Sequence, residues 1–144
     1  MAYLSEHQLV DLGLGYVGKN VLISDKASIY DTSKIEIGDN SRIDDFCVIS
    51  GKIFIGKNVH ITPQCLIAGG SPGIVLESYT TYAYGVKIFA QSDDYSGMTM
   101  TNSTIASDLK EEIKEKVVIK KHSIIGAGSI IMPGVVVGVG VALG

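Results

Sequence analysis

An aliphatic residue returns every sixth position through most of this chain. Ile37, Ile43, Ile49, Ile55, Ile61 and Ile67 form one run, and Ile119, Ile125, Ile131, Val137 and Leu143 form another. Two residues before each stands a smaller or β-branched partner. These are Ile35, Ser41, Cys47, Ile53, Val59 and Cys65 in the first run, and Val117, Ser123, Ser129, Val135 and Val141 in the second. Leu76, Tyr82 and Ile88 continue the pattern, preceded by Ile74, Thr80 and Val86; Ile23 and Ile29 begin it, preceded by Val21 and Ala27. A helix repeats every 3.6 residues and an ordinary strand every two, so neither alone produces a period of six. Alternate side chains of a strand point the same way. Each six-residue unit is therefore a short strand with two inward side chains, followed by a corner. Sixteen such units predict a solenoid, because a fixed internal period marks stacked repeats.

Three strands and three corners close one triangular coil of 18 residues, with the next coil about 4.8 Å above it. Cys47 and Cys65 are 18 residues apart, so they should stack inside the prism as small, reduced core residues. The three faces are numbered here from the strand of Ile23. Two extra residues separate Ile29 from Ile37, three separate Ile67 from Leu76, and 25 separate Ile88 from Ile119. All three insertions fall between a second-face and a third-face strand, so they leave from one edge, where binding is expected on a rigid scaffold. The sequence thus divides into a lead-in, 1–18, and a repeat domain, 19–144, carrying a large loop, 91–116. In the lead-in, Ser5-Glu6-His7-Gln8 matches a capping box ahead of Leu9, Val10 and Leu12. A short helix there would cover the lower end of the coil. At the other end the chain stops at Gly144, just past an inward Leu143, which reads as a shortened solenoid.

Composition changes the picture in two places. Ser123 to Gly144 holds 22 residues without a charge, enough to cross a bilayer. Its six-residue period and its glycines suit strands and corners instead. The chain is 46% hydrophobic and only 7% aromatic, with no Trp and 17 Gly, which describes a core of small aliphatics. The net charge of −3 predicts no general affinity for nucleic acid or anionic membranes. No basic segment followed by an apolar run opens the chain, so a cytoplasmic protein without a signal peptide or membrane span is expected.

The stretches IEIGDNSRIDDFCVI, FIGKNVHI and SIIGAGSIIMPGVVVG resemble the hexapeptide-repeat acyltransferases over residues 19 to 144. The large loop followed by IIGAGSIIMPG is similar to the sugar acetyltransferases that include galactoside and maltose acetyltransferases. QSDDYSGMTMTN resembles a branch of surface-polysaccharide and amino-sugar pathways, such as O-antigen or lipopolysaccharide biosynthesis. The resemblance implies an all-β, left-handed parallel β-helix. Spacing does not give the hand, and the general rule for parallel crossovers favours the right. It also implies a homotrimer with active sites between subunits and acetyl-CoA as donor, with no metal.

Acetyl transfer to a hydroxyl needs a base and donors for the tetrahedral oxyanion; an amine attacks once it is neutral. The enzymes resembled place a His at the start of the large loop, but Phe89 to Tyr95 contains none. By position Asp93, or Ser92, takes its place. Asp93 and Asp94 also read as caps of a turn before Tyr95-Ser96-Gly97. Of three His, His7 lies in the lead-in helix and His122 at a corner. His60 precedes inward Ile61, so it points outward from the first face, with Arg42 below and Thr81 above. The resemblance brings His60 and Thr62 near the acceptor sugar. The catalytic candidates are therefore His60 and Asp93, with Thr62, Asp94, Tyr95 and Asn102 as acceptor ligands. The backbone of Gly126, Ala127 and Gly128 is the candidate for pantetheine, unless these glycines only serve corners. The first face lies opposite the loop edge, so His60 and Asp93 would meet only across a subunit interface. The function expected is acetyl-CoA-dependent acetylation of a hydroxyl or amino group on a sugar or nucleotide-sugar. The alternatives are a non-catalytic scaffold and a γ-class carbonic anhydrase. The latter needs three His around a metal, and only His60 and His122 lie in the coil.

Overall fold

The computed structural model describes residues 1–144 and is a parallel β-prism with three faces. The first face holds Leu22–Ile23, Arg42–Ile43, His60–Ile61, Thr81–Tyr82, Ile124–Ile125 and Ala142–Leu143. The second holds Ser28–Ile29, Val48–Ser50, Leu66–Ala68, Lys87–Phe89 and Ile130–Ile131. The third holds Tyr16–Val17, Ile35–Ile37, Ile53–Ile55, Ile74–Leu76, Val117–Ile119 and Val136–Val137. The register follows the six-residue period: Ile61 pairs with Ile43 below and Tyr82 above, and His60 with Arg42 and Thr81. Pairing starts before the first periodic unit, since Tyr16 and Val17 already pair with Glu36 and Ile37.

Every inward position from Ile35 to Ile125 is buried. Each fully buried Ile contributes about 1.5–3 kcal/mol relative to exposure, so the isoleucine ladder dominates stability. At Ser41 and Ser123 the inward hydroxyl takes over part of the backbone ladder. Ser41 donates to the Gly56 carbonyl at 2.7 Å and accepts from Val59 N–H at 3.1 Å. Ser123 does the same with Gly138 and Val141. Tyr82 is the one large ring inside, and its hydroxyl donates to Thr80 at 2.9 Å; burial pushes its phenol pKa up. Cys47 and Cys65 are both buried and unbridged, and Cys47 Sγ lies 3.1 Å from the Thr62 carbonyl oxygen.

Two corners of each coil take a left-handed residue, such as Asn40 and Phe46 in one coil and Asn58 and Gln64 in the next. Asn20, Asn40, Asn58, Tyr79 and His122 all have φ between 54° and 63° and stack at the corner leading into the first face. Asn tolerates this conformation better than most residues. His shares this tolerance; Tyr79 is the bulky exception, and its ring stacks in parallel on that of His122 with centroids 5.3 Å apart.

All three insertions leave from the edge between the second and third faces. The first forms a 3-10 turn at Thr32–Lys34, and the largest contains another at Ser107–Leu109. At the lower end the helix Glu6–Asp11 is closed by the capping box, Ser5 accepting from Gln8 N–H at 3.2 Å and donating its own N–H to Gln8 Oε1 at 2.8 Å. Leu4, Leu9, Leu12 and Leu14 pack against the core from that end. At the upper end, inward Val135, Val141 and Leu143 remain 37%, 38% and 36% exposed. The uncharged stretch from Ser123 forms strands, and no helix is long and apolar enough to cross a membrane.

Candidate functional site

His60 is set by the period: one residue before an inward Ile, it must face out. Its Nε2 lies 2.7 Å from Asp44 Oδ2. Asp44 follows the strand Arg42–Ile43 and is stacked under Thr62, its N–H bonded to the Ile61 carbonyl at 3.0 Å. The Asp44 side chain is only 2% exposed. Arg42 grips it from the same strand, with Nε 3.0 Å from Oδ1 and Nη2 3.2 Å from Oδ2. Tyr3 donates its hydroxyl to Oδ1 at 3.2 Å, brought there by an antiparallel bridge between Tyr3 and Ser24. Burial works to raise the Asp44 pKa, but the hydrogen bonds from His60 and Arg42 outweigh it and hold the carboxyl below its usual value. Asp44 is therefore ionised at neutral pH. Burial and the Asp44 charge push the Tyr3 phenol up.

Sequence reasoning found His60 and its neighbour Arg42 but missed Asp44. The available signal was its place in the stack. In RIDD, Asp44 occupies the position that Thr62 holds one coil later, directly beside the outward side chain of that coil. Thr62 itself is 8% exposed and donates its hydroxyl to the Tyr82 carbonyl at 2.7 Å. It forms part of the wall behind His60.

The large loop is organised separately. Gln91–Ser92 pairs antiparallel with Ile113–Lys114 and closes its base. Asp93 Oδ1 accepts from the Asn102 N–H at 3.3 Å, which joins two of the expected residues. Asn102 has φ 76° and accepts from Thr104 N–H at 2.8 Å. Asp94 accepts from Ser96 N–H and from the Thr99 hydroxyl, each at 2.8 Å. Those bonds, Ser96 first, lower its pKa, and the capping reading accounts for both of its oxygens. Tyr95 is 83% exposed. A polar hollow of about 610 Å³ lies at the loop base, lined by residues including Asp93, Asn102, Lys110 and Glu112. Lys110 Nζ sits 3.0 Å from Glu112 Oε1, with the Lys110 side chain 8% exposed, and donates to the Asn102 carbonyl at 3.0 Å. Lys110 and then Gln91 hold the Glu112 pKa down. Neither Lys110 nor Glu112 was legible as a site residue, because both lie in the non-periodic part of the loop.

At the corner expected to meet pantetheine, two of the three N–H groups are already used within the coil. Gly126 N–H already bonds to the Leu143 carbonyl at 2.6 Å, and Gly128 N–H to the Tyr84 carbonyl at 2.9 Å. Of the three, only the Ala127 N–H has no partner. The glycines have structural reasons: a Cβ on Gly126 would meet Leu143 O at 2.7 Å, and Gly128 has φ +73°. They serve the corner, and any amide recognition there falls to Ala127.

Within one chain, His60 and Asp93 make no contact: one is on the first face, the other in the loop leaving the opposite edge. His60 offers an imidazole nitrogen, Nδ1, without a protein partner. The loop hollow offers two carboxylates and an ammonium suited to polar groups of an acceptor. His7, bonded to Asp11 at 3.4 Å on the helix, and His122, stacked on Tyr79, are remote from both. No group of three His, Cys, Asp or Glu converges as a metal site requires.

No protein-family model matches the chain. It is 42% identical over 147 residues to a dTDP-4-amino-4,6-dideoxy-D-glucose acyltransferase of Escherichia coli, spanning 100% of this chain and 76% of that protein. It superposes with a TM-score of 0.96 and 46% identity on AntD, an N-acyltransferase from Bacillus cereus crystallised with dTDP and 3-hydroxybutyryl-CoA, covering 97% of this chain and 74% of that one. A serine variant of AntD, crystallised with dTDP-4-amino-4,6-dideoxyglucose and coenzyme A, matches with the same TM-score of 0.96 at 46% identity, over 97% and 75% of the two chains. These likenesses make the coil left-handed.

Proposed function

Belonging as it does to the hexapeptide-repeat, left-handed β-helix sugar acyltransferases, the chain is an acyl-CoA-dependent acyltransferase, and we propose that its acceptor is the 4-amino group of a dTDP-linked 4-amino-4,6-dideoxy sugar. The observation that carries this reading is the 42% identity, along the whole chain, to an acyltransferase of that substrate. N-acylation also suits the site. A neutral amine attacks a thioester without strong activation, so the chain can dispense with a His at the loop entrance. What remains is to accept one proton and to orient the amine.

In this reading the acceptor lies between two subunits of a homotrimer, His60 of one facing Asp93 of the next. Asp93 and Asn102 orient the acceptor from the loop side, with Lys110 and Glu112 beside them; Thr62 backs His60. Coenzyme A runs past the corner of Gly126, Ala127 and Gly128. The polar loop hollow supports the acceptor side, and the open Nδ1 of His60 supports the base. The trimer, a cytoplasmic location and a role in surface-polysaccharide assembly complete the reading, because a nucleotide-linked sugar and acyl-CoA are both substrates of the cell interior.

The test is direct. With acetyl-CoA, dTDP-4-amino-4,6-dideoxyglucose should release coenzyme A thiol and gain one acetyl group as an amide. The analogue with a hydroxyl at C4 should do neither. Equal turnover of the hydroxyl analogue, or none of the amine with any short acyl-CoA, overturns the assignment.

A further inference from the structure

We propose that Asp44 is a positioning residue for His60: it pins the imidazole as the Nε2–H tautomer and so turns the Nδ1 lone pair outward to take the proton of the acceptor amine. The proposal rests on the reading that His60 faces the acceptor.

The argument is one of lone pairs. A carboxylate offers about four acceptor sites, and Asp44 meets three hydrogen-bond donors and one further ion-pair contact. Oδ1 faces Arg42 Nε at 3.0 Å and the Tyr3 hydroxyl at 3.2 Å. Oδ2 faces Arg42 Nη2 at 3.2 Å and His60 Nε2 at 2.7 Å. The Arg42 Nε–H is directed at His60 Nε2, 3.2 Å away. Were that its bond, Nε2 would be bare and would press a lone pair against a carboxylate oxygen at 2.7 Å. With Nε2 protonated, this shortest contact is a charge-assisted hydrogen bond, and Arg42 stays on the carboxylate through its Nη2 bond to Oδ2 and the Nε–Oδ1 ion pair. The proton positions follow from the network. Nδ1 is then the free nitrogen, on a side chain that is 36% exposed.

The surroundings suit orientation. The charged and titratable groups around the ring are Arg42 and Asp44 from the coil below and Tyr3 from the N-terminal segment; Asp45 lies beside them, bonded to Ser24. Thr81 stands above and does not titrate. Arg42 offsets the charge of Asp44, so the carboxylate fixes the ring without adding net negative charge. In the step itself, the amine nitrogen forms a bond to the thioester carbonyl carbon and the carbonyl π pair moves to oxygen. The N–H proton passes to His60 Nδ1. The oxyanion then collapses, the C–S bond breaks with its pair on sulfur, and the imidazolium returns the proton to the thiolate. Asp44 stays a carboxylate throughout.

The test reads the tautomer apart from the activity. Nitrogen-15 NMR of imidazole-labelled protein, with His60 assigned by its loss in His60→Gln, should show Nε2 protonated and Nδ1 bare in the neutral ring. An Nδ1–H tautomer in the unmodified protein overturns the proposal with no variant needed. In Asp44→Asn the side-chain amide can turn an N–H toward Nε2. The ring should switch to Nδ1–H, and kcat should fall at least tenfold with KM for the dTDP-amino sugar within about twofold. Asp44→Glu should restore part of the rate and the original tautomer, which a merely structural role would not do. His60→Ala should match Asp44→Asn in rate, and the double variant should lose no more. A tautomer that stays put in a folded Asp44→Asn overturns the positioning role. A tautomer that switches while His60→Ala leaves kcat unchanged overturns instead the placing of His60 at the acceptor, and the proton-transfer role with it.

Discussion

The first face and the large loop solve the same task, holding polar side chains still, in opposite ways. On the face, most partners come from different coils. Arg42 and His60 are 18 residues apart, and Tyr3 and Asp44 are 41 apart; the ladder between coils brings them together. In the tip of the loop several partners are neighbours. Asp94 bonds residues two and five positions on, and Asn102 one two positions on. A lattice of parallel strands fixes geometry and tolerates little change. A chain of local caps can be rewritten without disturbing the prism. A fold arranged this way keeps orientation on the face and lets the loop adapt to the acceptor.

The largest effect should come from the lattice. Ile55 is wholly buried, so Ile55→Ala should destabilise by about 2–5 kcal/mol through lost contact and a cavity. Tyr95→Ala, in the loop, should stay within about 0.5 kcal/mol. Urea unfolding of both variants checks the pair, and similar losses would break the contrast between face and loop.

The shared site gives the next effect. His60→Ala and Asp93→Asn should each lower turnover, about tenfold or more, without loss of the assembled state. In mixed trimers, refolded together, every ring has one interface with His60 and Asp93 both intact. Activity should return in part. No recovery in verified mixed trimers would assign the site to a single chain and separate face from loop altogether.

A smaller effect should come from the corner. Gly126→Ala pushes a Cβ against the Leu143 carbonyl at 2.7 Å, and should destabilise by about 1–3 kcal/mol as a coil shifts. Gly97→Ala, in the loop at φ +82° with open space around it, meets only backbone strain of about 1 kcal/mol. Thermal melts of the two variants rank rigid corner against loop turn.

These contrasts also mark what was legible beforehand. The period placed all three faces, the register of His60 between Arg42 and Thr81, the stacked cysteines and the edge from which the loops leave. Inward positions follow from a rule that repeats sixteen times, and a repeated rule corrects itself. The capping box likewise has a fixed local geometry. Asp44 was missed because the rule says which way a side chain points, without saying which outward neighbours bond. The loop was legible only as a loop. Lys110 and Glu112 come together through a backbone path with no period. Which N–H of Gly126 to Gly128 is open was not legible, because glycine spacing cannot tell a free N–H from one already used between coils.

The finest distinction is between two carboxylates with depressed pKa values, Asp44 on the face and Asp94 in the loop. Both lie below 3.8 in the folded chain. A carboxyl whose folded pKa is depressed contributes stability that is complete above its unfolded pKa and is lost as pH falls through the folded value. Both contributions should therefore be constant from about pH 5 upward and fade below pH 3.8. The sizes should differ. Asp44 is almost sealed from water, so its hydrogen bonds act with little screening; Asp94 sits in solvent, where such interactions are weak. The difference in unfolding free energy between the unmodified protein and Asp44→Asn should be large at neutral pH and shrink steadily below pH 3.8. For Asp94→Asn the same curve should be shallow. Parallel pH profiles for Asp44→Asn and the unmodified protein would mean that the groups around Asp44 stabilise the neutral amide as well as the carboxylate. A steep profile for Asp94→Asn would make the loop as firmly built as the face.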